Sequence, residues 1–78
     1  MKTVVFSKHA RERMADEIRG PVTEEEALAV LSEPEVAYVG VDGKQNVLGL
    51  VNGKRIRICF VEETARIFVV TVINRGPQ

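Results

Sequence analysis

His9 and Arg13 stand four residues apart in Ser7-Lys8-His9-Ala10-Arg11-Glu12-Arg13-Met14, and His9 is the chain's only histidine. In an α-helix that spacing puts an imidazole and a guanidinium on one face, within reach of a single ligand. Histidine exchanges protons near neutral pH, and a fixed cation beside it can hold a phosphate, so the pair suits phosphate chemistry. The same residues also have a plainer reading. Ser7 then caps the helix, and His9, Arg11 and Arg13 form its solvated face.

The elements that would carry such a pair follow from local pattern. Thr3-Val4-Val5-Phe6 reads as a short apolar strand or an extended lead-in, and a helix then runs from Ser7 to about Arg19, ended by Gly20-Pro21. Ala10, Met14 and Ile18 recur at four-residue spacing as its buried stripe. Thr23-Glu24-Glu25-Glu26 is a capping box that opens a second helix with Ala27, Leu28 and Leu31 on one face, and Glu33-Pro34 closes it. From Glu35 the pattern changes to strands at Val36 to Val41, Val47 to Val51, Lys54 to Val61 and Arg66 to Ile73. These are separated by Asp42-Gly43, Asn52-Gly53 and Glu62 to Ala65, and Gly76-Pro77-Gln78 reads as a loose tail.

The expected architecture is α+β: two N-terminal helices packed on a four-stranded antiparallel β-meander. Alternation points Ile56, Ile58 and Phe60 one way and Arg55, Arg57 and Cys59 the other. The last strand is apolar on both sides, with Phe68, Val70 and Val72 opposing Ile67, Val69 and Ile73, so it reads as central or shielded by another chain.

Size and charge narrow the functional classes. Seventy-eight residues make a single domain, 1–78, with a small core that pairing would enlarge, so a homodimer or a protein partner is expected. Eleven basic and eleven acidic residues cancel, which argues against long-range attraction to nucleic acid. The charges are nevertheless segregated, with acids around the second helix and Lys54, Arg55 and Arg57 on one strand. One histidine and one cysteine cannot assemble the usual zinc sets, no glycine spacing forms a phosphate loop, and neither metal nor cofactor is expected. Cys59 lies in an apolar run and reads as a buried structural thiol. Without a leader pattern or a long apolar span, the expected location is cytoplasmic, with no membrane association.

The opening S-K-H-A-x-x-R-M, the T-E-E-E-A-L-A-V-L-S-E-P-E helix, the G-K-R-I-R-I strand and the closing V-V-T-V strand resemble a family of small uncharacterised bacterial and archaeal domains. That family is grouped with the RelE/ParE-type toxin superfamily, and the resemblance covers nearly the whole chain. It implies a RelE/ParE-like fold with helices against a curved antiparallel sheet, and an RNA substrate or an antitoxin-like partner. It also implies metal-independent endoribonuclease activity, in which a ribose 2′-hydroxyl attacks the adjacent phosphate. His9 would then be the acid or base, Arg13 and Arg57 the phosphate clamp, and Thr71 a hydrogen-bonding group. The chain departs from the ribosome-dependent toxins in its charge balance and in ending Ile73-Asn74-Arg75-Gly76, without their aromatic or basic terminus. The alternative on the same scaffold is a non-catalytic module that binds protein or nucleic acid. A four-residue loop at Glu62 to Ala65 would set Thr71 beside Ile56, on the face away from Arg57.

Overall fold

A computed structural model describes residues 2–77. In chain order the elements are β1 (Thr3–Phe6), α1 (Lys8–Met14), α2 (Glu24–Ser32), β2 (Val36–Val39), β3 (Gln45–Val51), β4 (Lys54–Glu62) and β5 (Arg66–Pro77). The domain is α+β as expected, but the sheet is a five-stranded mixed sheet in the order β1-β5-β4-β3-β2, and this replaces the four-stranded antiparallel meander. The N-terminal run is a full strand, lying parallel to β5 with Thr3 opposite Arg66 and Phe6 opposite Val69. Turn signals announce hairpins between neighbours in sequence. A parallel pair between the two ends of the chain has no turn to announce it.

Ser7 joins this pair to the helical layer. Its amide donates to the Val69 carbonyl at 2.9 Å and its hydroxyl donates to the Val70 carbonyl at 2.7 Å, while the same oxygen accepts from the Ala10 amide at 3.0 Å. Helix cap and strand latch therefore share one hydroxyl. Replacing Ser7 with Ala should lower stability by about 1–2 kcal/mol, for the lost cap and the orphaned Val70 carbonyl. In thermal denaturation followed by circular dichroism that is a drop of roughly 5–15 °C for a domain of this size. An unchanged midpoint would show that the cap is dispensable.

The first helix stops at Met14, well short of Arg19. Asp16 ends it, because its carboxylate accepts from the amides of Ile18 at 2.9 Å and Arg19 at 3.3 Å, a local turn that competes with helical bonding. Gly20, at φ +100°, reverses the chain, and the Val22 amide returns to cap the Met14 carbonyl at 2.8 Å. Ile18 consequently leaves the expected buried stripe and stands 98% exposed, while Val22 takes its place in the core. On α2 the buried positions are Glu26, Ala27 and Val30, with Leu31 partly buried and Leu28 turned outward. Gly49 allows α2 to approach the sheet, since a Cβ there would lie 3.1 Å from Val30 Cγ1.

The core is the layer between the two helices and one sheet face, built on Phe6, Ala10, Met14, Ile56, Ile58 and Val72. The Asn52-Gly53 hairpin, with φ 51° and 74°, sets β3 against β4 in the expected register, Val51 opposite Lys54. The β4–β5 ladder differs from expectation. It starts at Glu62 opposite Ile67 and slips between Phe60–Val69 and Cys59–Thr71, so that Val70 is an extra, bulged residue. Strand β5 continues through Gly76 and Pro77, which are not a loose tail, and Gln78 lies outside the described residues.

Candidate binding surface

One residue of bulge decides where the polar side chains point. Inserting Val70 inverts the faces of the β5 residues that follow it, so Thr71 pairs with Cys59 and shares a face with Arg57, correcting the expected position beside Ile56. Ile56, Ile58 and Val72 all belong to the core beneath the helices. Arg57, Cys59 and Thr71, alternating with them, therefore project from the opposite face, which no helix covers.

His9 and Arg13 lie on the helical side. Ala10 and Met14 of α1 are buried against the core; immediately before each of them His9 is exposed and Arg13 half-buried, neither side chain with a hydrogen-bond or ion-pair partner among the described residues. Arg11, also in the sequence run, stacks over the Phe6 ring at 5.5 Å and reaches Glu24 at 3.4 Å. Of the four candidate residues the fold thus brings together His9 with Arg13, and Arg57 with Thr71. The sheet itself stands between the two pairs.

The uncovered face is built by period-two alternation on four strands. It presents Val36 and Tyr38 from β2, Asn46, Leu48 and Leu50 from β3, Arg55, Arg57 and Cys59 from β4, and Thr71, Ile73 and Arg75 from β5. Arg75 belongs here because its neighbour Asn74 points the other way, donating to the Gly20 carbonyl at 3.2 Å. Tyr38 and Leu50 remain 41% and 40% exposed. The face also holds a polar group that the sequence reading missed. Asn46 is buried, accepts from Arg57 Nε at 3.2 Å, and donates through Nδ2 to the Lys44 carbonyl at 3.2 Å. An Asn opening an apolar strand gives no signal of that role, which depends on the β2–β3 turn lying alongside it.

That turn also carries an acid. Asp42 accepts from the Lys44 amide at 3.0 Å, which with the Lys44 ammonium holds its carboxyl below the usual range. Burial pushes the Cys59 thiol above its ordinary value, and the nearby Asp42 charge adds to the shift. A thiol so placed is a weak nucleophile at neutral pH. Eight of the eleven acidic residues fall between positions 12 and 35, in the helical layer and its loops, whereas six of the eleven basic residues fall between 44 and 75. Of those six, Arg55, Arg57 and Arg75 lie on the uncovered face, so an electroneutral chain has a sheet face with arginines spread across apolar ground.

Among the described residues no group of three or more His, Cys, Asp or Glu side chains could hold a metal ion, and no helix is long and apolar enough to cross a membrane. No family model, no curated protein and no solved structure matches this chain.

Proposed function

We propose that this chain is a non-catalytic protein-binding module whose uncovered sheet face receives an acidic, amphipathic segment of a partner protein. The observation that carries this reading is the composition of that face, where exposed Tyr38 and Leu50 lie in one surface with Arg55, Arg57 and Arg75. Aliphatic side chains gain from being covered by other apolar side chains, and the arginines supply bidentate contacts to carboxylates around them. A sugar-phosphate backbone would engage the arginines and leave Leu48, Leu50 and Ile73 in water.

The ribonuclease reading taken from the toxin resemblance needs His9 and Arg13 to act on the same phosphate as Arg57. A general acid or base works within hydrogen-bond reach of the proton it moves. With the sheet between the pairs, one bound phosphate cannot meet both, and this favours binding over catalysis.

Two measurements decide between them. In a translating cell extract with chelator present, RNA should keep its ends intact with the wild type, as it does with His9→Ala and Arg57→Ala. Titration of a designed Leu/Glu amphipathic peptide should shift backbone amide resonances on β3, β4 and β5 while leaving α1 unmoved, and Arg57→Ala should weaken that binding about tenfold, roughly 1.4 kcal/mol. Chelator-resistant cuts lost in both variants would overturn the proposal in favour of the ribonuclease.

A further inference from the structure

We propose that β2 is a self-association edge, pairing antiparallel with β2 of a second copy about a two-fold axis at Tyr38 and joining the two sheets into one. This does not rest on the function proposed above.

Strand β2 is peculiar within its own domain. All four of its residues, Val-Ala-Tyr-Val, are exposed, yet none is charged, and the two valines and the tyrosine are good strand formers. Val39 is 62% exposed, and Val41 just beyond is fully so. The strand contributes none of the buried core residues and, among the described residues, pairs with no strand but β3, as the last member of the sheet. Natural edge strands are usually blunted by lysine, proline or a bulge, because their unpaired amides and carbonyls are a template for another strand. At four residues β2 is short, but no lysine, proline or bulge interrupts Val36 to Val39.

The hydrogen-bonding geometry selects the register. The Gly40 amide donates to the Lys44 carbonyl at 2.8 Å, which marks that pair as a bonded one in the β2–β3 ladder. By alternation Tyr38 and Val36 bond inward to β3, while the amides and carbonyls of Ala37 and Val39 point out of the sheet. A two-fold axis at Tyr38 sets Ala37 of each copy opposite Val39 of the other, so every one of those outward groups finds a partner. The same operation places Tyr38 against its own equivalent in a non-hydrogen-bonded pair, where cross-strand aromatic contacts are closest. Because β2 carries no charge, laying it against itself opposes no like charges. A two-fold perpendicular to the sheet also keeps the arginine-bearing faces of both copies on the same side.

The test is sedimentation equilibrium of the full chain across a wide concentration range, with two variants. The wild type should reach twice its 8.7 kDa mass. Ala37→Pro removes only an outward amide, so it should weaken the dimer by at least about tenfold with the far-ultraviolet circular dichroism unchanged. In a Cys59→Ser background, Tyr38→Cys should form an intermolecular disulfide readily and Val36→Cys should not, because only residue 38 meets its own equivalent. If Ala37→Pro fails to fold, that cross-linking contrast decides alone. A wild type of single-chain mass at every concentration, a dimer undiminished in folded Ala37→Pro, or cross-linking at 36 as fast as at 38 would overturn the proposal.

Discussion

Glu26→Gln should lower the unfolding free energy at pH 7 by about 3 kcal/mol, a large part of the roughly 4–12 kcal/mol that holds a domain of this size. The carboxylate of Glu26 is buried beneath the start of α2, its side chain 8% exposed. It accepts from Asn52 Nδ2 at 2.7 Å, Lys54 Nζ at 2.9 Å and the Thr23 amide at 3.0 Å. One residue thereby closes the capping box and ties the helix to the β3–β4 hairpin. The Asn52 bond, with help from Lys54 and Thr23, outweighs the cost of burial and brings the Glu26 pKa from 4.5 down to about 2.

The direction of that shift sets the pH dependence. A carboxyl that titrates lower in the folded than in the unfolded chain stabilises fully above pH 4.5, and the contribution is lost as pH falls toward about 2. Urea unfolding of wild type and Glu26→Gln over this window should therefore show a difference that is largest at neutral pH and shrinks toward the acid end. A difference of constant size would mean that Gln disturbs packing and that the charge contributes little.

Ile58→Ala should cost about 3–4 kcal/mol, through lost burial and the cavity left behind, and leave a substantial unfolded fraction. Ile58 is fully buried, and it meets the helical layer together with Ile56, Val69 and Val72, themselves fully buried. Its neighbour Arg57→Ala removes one hydrogen bond from a half-buried side chain and leaves the buried Asn46 oxygen without that donor, and should cost about 1–2 kcal/mol. Midpoints of urea unfolding compare the two directly. Adjacent residues on β4 are thus expected to separate stability from binding, with Ile58 holding the fold and Arg57 the partner. Equal losses from both would refute the assignment of the two faces.

The residues that were legible in sequence are those whose behaviour is settled within a few positions. Ser7 and Thr23 cap their helices, the Thr23–Glu26 box closes on itself, Asn52-Gly53 makes its turn, and Ile56 and Ile58 alternate with Arg55 and Arg57. Each depends on bonds or side-chain periods spanning at most four residues. The premature end of α1 was in principle visible, since Asp16 is a residue that bonds its own following amides, but the four-residue spacing of Ala10, Met14 and Ile18 argued for a longer helix. Local bonding at Asp16 outweighed that periodicity, because Val22 could fill the core position that Ile18 would have taken.

The candidate site needed long-range information. His9 with Arg13 is a helical spacing, and Arg57 is a strand alternation, so the sequence alone determines the local geometry of the first pair and the side of its strand from which Arg57 projects. Which sides face one another is decided by tertiary structure. The parallel docking of β1 on β5 lays α1 over one face, and the extra residue at Val70 turns Thr71 to the other. A parallel pair closes a loop of more than sixty residues, and a bulge changes side-chain parity by a single position. Both are chosen by the packing of the whole core, which no local pattern contains, and together they put His9 and Arg57 on opposite sides of the sheet and leave an arginine-bearing apolar face open to a partner.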